Sequence, residues 1–314
     1  MAEQHAGATP RRTVIVGPGA IGITLAVHLS RGGRPVTVLD HRPDRAERIR
    51  AEGLRLLTED GLVTATVSAA ARAADVAVAD LIIVCVKCPA LERAGRSLAD
   101  LPESSTIVTI QNGLGVIEAL ARGLGQAAAR HTLLAAVTYQ AASPTAEGTI
   151  RHVANLPTLF DGAPAVRKAA DMAADTFESA GLPARVEADL RETVWRKLIV
   201  NVAINPLTAL ERVPNGVVAE RSGLRERMRA LAREVARVAR AEGRAITDRE
   251  AERSALKAAR ETAANISSML QDVEAGRPTE IEFLGGALLR LADEHGLDVP
   301  HLHDVTEAIR RLGP

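Results

Sequence analysis

Residues 13–22 read TVIVGPGAIG, and this stretch decides the fold of the first half of the chain. Its apolar start at residues 14–16 predicts a buried strand, and the apolar periodicity that follows the glycines predicts a helix. The turn between them matches G-x-G-x-x-G at Gly17, Gly19 and Gly22. A strand, a glycine turn and a helix in this order are typical of a Rossmann βαβ unit.

The glycine turn is expected to bind a dinucleotide. Gly17 permits the tight turn, Gly19 lets the backbone approach a pyrophosphate, and Gly22 allows close packing of the helix on the strand. The N-terminus of the helix offers N–H groups without helical partners to the anion. A turn that serves packing alone is the alternative. The expected cofactor-binding residues here are Gly17, Pro18, Gly19, Ala20, Ile21 and Gly22.

The end of the second predicted strand, residues 36–39, bears on the type of nicotinamide cofactor. An acid at this point bonds the ribose 2′-hydroxyl of NAD, whereas a nearby arginine accommodates the 2′-phosphate of NADP. Here Asp40 ends the strand, and Arg42, Arg45 and Arg48 follow it. A solvated helix face would explain the same arginines. The spacing therefore leaves the choice between NADH and NADPH open.

Alternating strand and helix patterns continue to about residue 187. The segment LIIVCV at 81–86 is apolar throughout, as a strand covered on both faces must be, and TIVTI at 106–110 repeats this strand signature. The sequence EDG at 59–61 separates two strand patterns and predicts a hairpin. From residue 188 onward only helical periodicity is present. The helices predicted there are 188–204, 220–242, 248–275, 279–294 and 301–312.

The change of pattern predicts two domains in an α/β protein. A polar tail at 1–12 is expected to fray, a doubly wound Rossmann domain is expected at 13–187, and an all-helical domain at 188–314. A cleft between two such domains is the default place for a ligand.

The composition of the 314 residues excludes several classes of function. Lys and Arg total 39, as do Asp and Glu, so the formal charge is zero, and aromatic residues make up 2%. A chain with no net charge has no global electrostatic attraction to nucleic acid or anionic membrane, and so few aromatic residues are insufficient for platforms on which bases stack. No apolar run approaches the roughly 18 residues that span a bilayer. We therefore expect a cytoplasmic protein with no nucleic-acid or membrane partner.

Two cysteines form an isolated C-x-x-C at Cys85 and Cys88. Such a pair can be a redox motif or half of a zinc site, but no second Cys pair or well-spaced His pair accompanies it. We favour structural cysteines and expect no metal.

The segment WRKLIVNVAINPLTAL carries the first candidate chemical groups. Lys197, Asn201 and Asn205 recur every four residues, so a helix stacks them on one face among apolar neighbours. An unpaired polar group costs about 1 to 3 kcal/mol when buried, so these side chains must find partners or face a cleft. A structural network would explain either asparagine alone, whereas we favour a functional role for the lysine.

A second polar set lies in NISSMLQDVEAGRPTEIEF, where Gly276 and Pro278 are expected to end one helix and start the next. A helix cap for serine and a favourable position near the helix dipole for Glu280 are the structural alternatives. The members of this set are Asn265, Ser267, Ser268 and Glu280, and we include Asn265 among the expected substrate-binding residues.

Five segments together resemble the ketopantoate reductase family, the 2-dehydropantoate 2-reductases. They are GPGAIG, the VKC that follows LIIVCV, QNG at 111–113, WRKLIVNVAINPLTAL and NISSMLQDVEAGRPTEIEFLGG. The resemblance implies a Rossmann domain and a helical domain of the 6-phosphogluconate dehydrogenase type. It also implies reduction of ketopantoate to pantoate with a nicotinamide cofactor, on the route to pantothenate and coenzyme A.

The resemblance assigns roles by motif position. Lys197 is similar to the catalytic lysine of the family, with Glu280 as the acid that completes the site. The implied substrate-binding groups are Asn112, Asn201, Asn205 and Ser268; Asn112 also lies beside the nicotinamide, and Lys87 is the implied basic residue near the cofactor.

Two departures from the family pattern concern the cofactor. Ala90 stands where the family commonly has glutamine, and Asp40-His41-Arg42 stands where it commonly has arginine directly at the end of the second strand. The family habit implies NADPH and Arg42 as a cofactor residue, while Asp40 keeps NADH possible.

The expected reaction is hydride transfer to the C2 carbonyl of a 2-oxo acid, with the Lys197 ammonium protonating the alkoxide and Glu280 keeping that lysine charged. Two alternatives remain: reduction of another 2-oxo acid, and a nicotinamide-binding sensor without turnover. The long helices of the second half also make a homodimer possible.

Overall fold

The computed structural model describes residues 11–76, 78–145 and 148–313. It divides into two compact units. The first unit takes the chain up to Gln111 together with Ile117–Leu190, and the second takes Asn112–Val116 together with the chain from Arg191. Most of the expected N-terminal tail lies outside the described residues. Of its last two residues, Arg12 donates its backbone N–H to the Asp80 carboxylate over 2.8 Å.

The first unit contains the strands and five helices among the described residues. The strands are β1 (Thr13–Val16), β2 (Val36–Leu39), β3 (Leu54–Thr58), β4 (Gly61–Ala65), β5 (Ser68–Ala70), β6 (Leu81–Val84), β7 (Thr106–Thr109), β8 (Thr132–Thr138), β9 (Ala141–Pro144), β10 (Ile150–Ala154), β11 (Thr158–Asp161) and β12 (Ala184–Glu187). The helices are α1 (Ala20–Arg31), α2 (Pro43–Glu52), α3 (Leu91–Leu98), α4 (Val116–Leu124) and α5 (Arg167–Glu178).

The main sheet has the order β12-β11-β8-β7-β6-β1-β2-β5 over the described residues. Strand β1 pairs in parallel with β2 on one side and with β6 on the other. The strand order therefore reverses at β1, and the carboxyl ends of β1, β2 and β6 meet at one edge, where Rossmann folds bind dinucleotides. Every residue of β1, β6 and β7 is buried, as expected of strands that are covered on both faces, and the expected α/β Rossmann fold is confirmed.

A second, smaller sheet has the order β4-β3-β10-β9. Its β3–β4 hairpin turns at residues 59–60, with Thr58 opposite Gly61, as the EDG sequence predicts. Strands β5, β9 and β12 were not predicted. Each has only three or four residues, and their sequences SAA, AASP and ARVE lack a run of apolar β-branched residues that would indicate a strand.

The second unit is built from helices. They are α6 (Leu190–Glu211), α7 (Asn215–Glu220), α8 (Ser222–Ala241), α9 (Asp248–Glu261), α10 (Ser268–Glu274), α11 (Gly285–Glu294) and α12 (Pro300–Leu312). Their shared core consists of aliphatic side chains such as Val202, Leu231 and Leu288, each at most 1% exposed. No helix within the described ranges has the length and apolar character needed to cross a bilayer.

Three predicted helices of the second unit were wrong in their extent. The predicted helix 188–204 continues as α6 to Glu211. The predicted helix 248–275 is interrupted after Glu261, because the carbonyls of Ala263 and Asn265 accept the first N–H groups of α7 over 3.0 Å each. The predicted helix 279–294 begins only at Gly285, after a single 3₁₀ turn at Ile281–Phe283. Glu280 therefore precedes that turn and does not lie in the first turn of an α-helix.

Candidate active site

The glycine turn between β1 and α1 combines tight packing with open space. Gly17 has φ of +92°, and a Cβ on it would come within 2.7 Å of Val86 Cγ1. A Cβ on Gly22 would lie 2.2 Å from the Gly17 carbonyl oxygen. Around Gly19, in contrast, a Cβ would meet no atom within 4 Å. The turn thus closes on itself at two glycines and leaves free the position where a pyrophosphate would approach.

Helix α1 starts directly after Gly19, and no side chain caps it there. The N–H groups of its first turn therefore have no side-chain acceptor at the cap, and the partial positive charge of the helix end faces the space beside Gly19. The geometry fits an anionic pyrophosphate.

Asp40, at the carboxyl end of β2, is buried and already engaged. Its Oδ1 accepts from the Arg42 backbone N–H at 3.2 Å and from Arg45 Nη2 at 3.0 Å, and its Oδ2 accepts from Arg45 Nε. The side chain is 1% exposed. Both oxygens thus serve the chain's own donors, which the position of Asp40 in the sequence did not reveal.

A cavity beside the glycine turn extends toward α3. Its wall is largely apolar, with two basic side chains, His41 and Arg93, which suits an adenosine with a charged substituent. Ala90, the departure from the family pattern, forms part of the wall. The lining residues are Val16, Gly17, Leu39, His41, Ala71, Val86, Ala90, Arg93, Ala94 and Ser97. Sequence reasoning missed Arg93; the only available signal was its spacing of four from Ser97, which places both on one face of α3.

The side chain of Gln111 holds the start of the loop after β6. Its Nε2 donates to the carbonyls of Val84 at 2.6 Å and Val86 at 2.9 Å. Lys87 follows that loop and precedes the 3₁₀ turn Cys88–Ala90. Gln111 thereby fixes the start of the segment that presents Lys87.

The two cysteines in this region do not resemble a redox pair. Cys88 is buried, and burial raises the pKa of the Cys85 thiol far above its usual range, so the reactive thiolate is disfavoured. No group of three metal-ligating side chains occurs in the part of the chain that the structure describes.

In the second unit, a backbone contact between residues 113–114 and Phe283 brings Asn112 close to Glu280. Gly113 has φ of +99°, and a Cβ on it would come within 2.2 Å of the Phe283 carbonyl oxygen. That same carbonyl accepts the Leu114 N–H over 2.8 Å. Asn112 then donates from Nδ2 to Glu280 Oε2 over 3.3 Å. The glycine of the QNG motif therefore permits the approach that joins Asn112 to Glu280.

Lys197 shares this environment with Glu280. Burial lowers the pKa of Lys197 to about 8, and the negative charge of Glu280 opposes part of that decrease. Glu280 itself is 7% exposed. Lys197 and Glu280 thus form a charge pair in which the lysine titrates close to neutral pH. Residues with such shifted pKa values cluster at functional sites.

The three polar residues of WRKLIVNVAINPLTAL lie on one helix, as predicted. Lys197, Asn201 and Asn205 are each partly buried in α6, while most of the residues between them are fully buried. The other two predicted substrate-binding residues lie in different elements of the second unit and are exposed. Ser268 is the first residue of α10 and is exposed, and Asn265 is an exposed loop residue whose carbonyl accepts from the Asn215 N–H.

Ser267, the neighbour of Ser268, is a helix cap, which was the structural alternative for the serines of this segment. It is 5% exposed, and its Oγ accepts the Leu270 N–H over 3.1 Å as the N-cap of α10.

Comparison with known proteins relates both units to one family. Residues 13–163 match the family described as "Ketopantoate reductase PanE/ApbA", and residues 189–313 match "Ketopantoate reductase PanE/ApbA C terminal". The 2-dehydropantoate 2-reductase of Halobacterium salinarum is 37% identical, over 95% of this chain and 98% of its own. That of Vibrio cholerae is 31% identical, over 95% and 97%.

Solved structures agree with this grouping. The PanE/ApbA family ketopantoate reductase from Ralstonia eutropha JMP134 superposes with a TM-score of 0.86 at 29% identity, covering 96% of this chain and 98% of its own. A D-mandelate dehydrogenase solved with NADH and anilino(oxo)acetate has the same TM-score of 0.86 over 96% and 97%, but at 22% identity it shares the fold alone.

Proposed function

Because the chain belongs to the ketopantoate reductase family, we propose that it reduces the 2-oxo group of ketopantoate to the hydroxyl of pantoate with NADPH. The observation that carries the proposal is the placement of Lys197 in the field of Glu280, with Asn112 bonded to the same carboxylate. A proton donor of tuned pKa is what reduction of a ketone requires besides a hydride.

The first unit is assigned the cofactor. The space at Gly19 and the uncapped start of α1 support binding of the pyrophosphate by residues 17–22, and Lys87 is assigned to the cofactor as well. When bound, the nicotinamide supplies the hydride that adds to the C2 carbon of the substrate.

Lys197 supplies the proton. Its Nζ hydrogen-bonds the C2 carbonyl oxygen, stabilises the negative charge that develops there, and transfers one proton as the C–O double bond becomes a C–OH single bond. With a pKa of about 8, about nine-tenths of the lysine is protonated at pH 7. It is also a stronger acid than an ordinary lysine, which favours proton transfer at neutral pH.

Glu280 and Asn112 are assigned to keeping Lys197 protonated. The Glu280 carboxylate opposes the loss of charge on Lys197, and the Asn112 amide satisfies one of its oxygens. Without the bond from Asn112, the buried Glu280 carboxylate would have fewer hydrogen-bond donors, which is costly in a buried site. The groups assigned to orient the substrate's hydroxyl and carboxylate are Asn201, Asn205, Ser268 and Asn265.

The preference for NADPH rests on Asp40. Its Oδ1 accepts from the Arg42 backbone N–H and from Arg45, and its Oδ2 accepts from Arg45, so the carboxylate is not presented to a ribose 2′-hydroxyl as NADH binding would require. Arg93 and His41 line the adjoining cavity and favour a 2′-phosphate. Arg42, which follows His41 in the chain and whose exposed guanidinium donates to Asp44 over 2.8 Å, is assigned to the same group.

The test compares oxidation of NADPH and NADH by the purified protein with ketopantoate and with a panel of other 2-oxo acids. We expect ketopantoate to give the highest kcat/KM and NADPH to be preferred. Higher kcat/KM with another 2-oxo acid would overturn the substrate assignment, and a preference for NADH would overturn only the cofactor assignment. Cytoplasmic location and a homodimer remain predictions; sedimentation of the purified protein tests the latter.

A further inference from the structure

Two buried hydroxyl groups in the helical unit face each other across α6 and α10. Thr208 Oγ1 and Ser267 Oγ lie 2.7 Å apart, and the two residues are 0% and 5% exposed. Neither belongs to the set of residues assigned to the reaction. Each directly adjoins that set, however, because Thr208 follows Asn205 by one helical turn and Ser267 precedes Ser268.

The other partners of these hydroxyls fix the direction of their hydrogen bonds. Thr208 Oγ1 donates its single proton to the Asn205 carbonyl over 2.8 Å, so it must accept from Ser267. Ser267 Oγ in turn accepts the Leu270 N–H over 3.1 Å. The result is an ordered chain from the Leu270 N–H through Ser267 and Thr208 to the carbonyl of Asn205.

This chain acts where α6 is locally weakened. Pro206 lies inside the helix, directly after Asn205, and a proline removes one backbone hydrogen bond and strains the preceding turn. The missing N–H is the one that would donate to the Val202 carbonyl, so the turn that contains Asn205 lacks one regular helical bond. The bond from Thr208 to the Asn205 carbonyl adds a side-chain constraint to the same stretch of helix.

We propose that Thr208 and Ser267 are positioning residues that set the spacing between Asn205 and Ser268. The inference rests on the proposed function, in which those two residues bind the polar groups of the substrate. Because a buried pair of hydroxyls with all protons assigned has one preferred geometry, it presents Asn205 and Ser268 to the substrate at a fixed separation. Its loss weakens substrate binding more than it slows the chemical step.

The experiment replaces Thr208 by valine, which keeps the shape of the side chain and leaves the Ser267 cap on Leu270. We expect the KM for ketopantoate to rise about threefold to tenfold, the change that an ordinary hydrogen bond corresponds to. The kcat and the KM for NADPH should stay within about twofold of wild type, since Lys197 and the first unit are untouched. Thr208→Ser, which restores the hydroxyl, should recover the low KM.

Thr306→Val is the matched control. Thr306 is also 0% exposed in the helical unit, and among the described residues its hydroxyl has no hydrogen-bond partner. The same substitution there should leave the KM for ketopantoate unchanged. If Thr208→Val lowers the melting temperature but changes the KM no more than Thr306→Val does, the hydroxyl pair is purely structural and the inference is overturned.

Ser267→Ala breaks the chain from its other end and keeps the inference testable should Thr208→Val not fold. It should raise the KM to a similar extent, and the double variant should cost no more than the larger single change, because the chain is already broken. Additive effects would overturn the proposal. A wild-type protein without ketopantoate turnover would instead overturn the proposed function.

Discussion

Asn112 and Glu280 are joined by a 3.3 Å hydrogen bond although they are 168 positions apart in the chain. The bond links the QNG motif to the turn after α10, so a segment that interrupts the sequence of the first unit completes the polar site of the second. The same carboxylate raises the pKa of Lys197 by its negative charge and so opposes the effect of burial. The charge on Glu280 and the acidity of Lys197 should consequently change together.

Glu280→Gln should lower the pH at which the enzyme loses activity. Lys197 acts when protonated, so kcat should fall as the pH rises through its pKa of about 8. Removing the carboxylate removes the attraction that raises this pKa, so the fall should occur at lower pH. The amide of glutamine can still accept from Asn112, so the fold of the turn is kept. The measurement is kcat against pH for both proteins.

Glu282→Gln serves as the control for that pH profile. Glu282 lies two residues away but is exposed and paired with Arg310 at 2.7 Å, and the carboxylate that acts on the pKa of Lys197 is Glu280. Its variant should reproduce the wild-type profile. Identical profiles for wild type and Glu280→Gln would show that Glu280 does not set the acidity of Lys197.

Lys197→Ala should reduce kcat by about 10² to 10⁴-fold, the usual contribution of a general acid. The dissociation constant for NADPH should remain close to wild type, because the glycine turn belongs to the first unit. Single-turnover rates and fluorescence titration with NADPH measure the two quantities. Lys257→Ala is the control, since Lys257 is 70% exposed and pairs only weakly with Glu261; an equal effect of both substitutions would remove Lys197 from its assigned role.

The sequence was sufficient for elements that local interactions determine. The β1–turn–α1 unit follows from its glycines and apolar pattern, the β3–β4 hairpin from its turn residues, and the stacking of Lys197, Asn201 and Asn205 from a period of four on a continuous helix. In each case the residues that decide the geometry are neighbours along the chain, so periodicity and turn chemistry were enough.

What the sequence did not reveal depends on distant partners. Helix α9 ends at Glu261 because α7 needs the carbonyls of the following loop, and Asp40 is occupied because Arg45 folds back on it from the next helix. The helical periodicity of 248–275 carries no information about the end of α9. The residues near Asp40 fit both a carboxylate bonded to arginine and one that is available to a ribose. The cavity position of Arg93 similarly depends on the tertiary fold, which brings the ends of β1 and β2 to the opposite wall of the cavity that α3 lines.

Gly19→Ala should weaken cofactor binding, whereas Gly22→Ala should lower the stability of the fold. A methyl group on Gly19 meets no protein atom within 4 Å, so the variant should fold with an unchanged melting temperature but bind NADPH more weakly. On Gly22 the methyl group would lie 2.2 Å from the Gly17 carbonyl, so that variant should lose stability. Thermal denaturation and NADPH titration distinguish them. Unimpaired cofactor binding by Gly19→Ala would contradict the assigned pyrophosphate site.

Arg93→Ala should raise the KM for NADPH by about tenfold, the scale of a charge-assisted hydrogen bond to phosphate, and leave the KM for NADH nearly unchanged. The reason is that Arg93 lines the cavity beside the glycine turn, where only NADPH carries a 2′-phosphate. Arg96→Ala, one turn along the same helix, removes an exposed arginine that pairs with Glu92 at 3.2 Å and should alter neither constant. Steady-state kinetics with both cofactors measure the effect. A parallel rise of both KM values in Arg93→Ala would mean that this arginine contacts a group common to the two cofactors, and the preference for NADPH would then need another source.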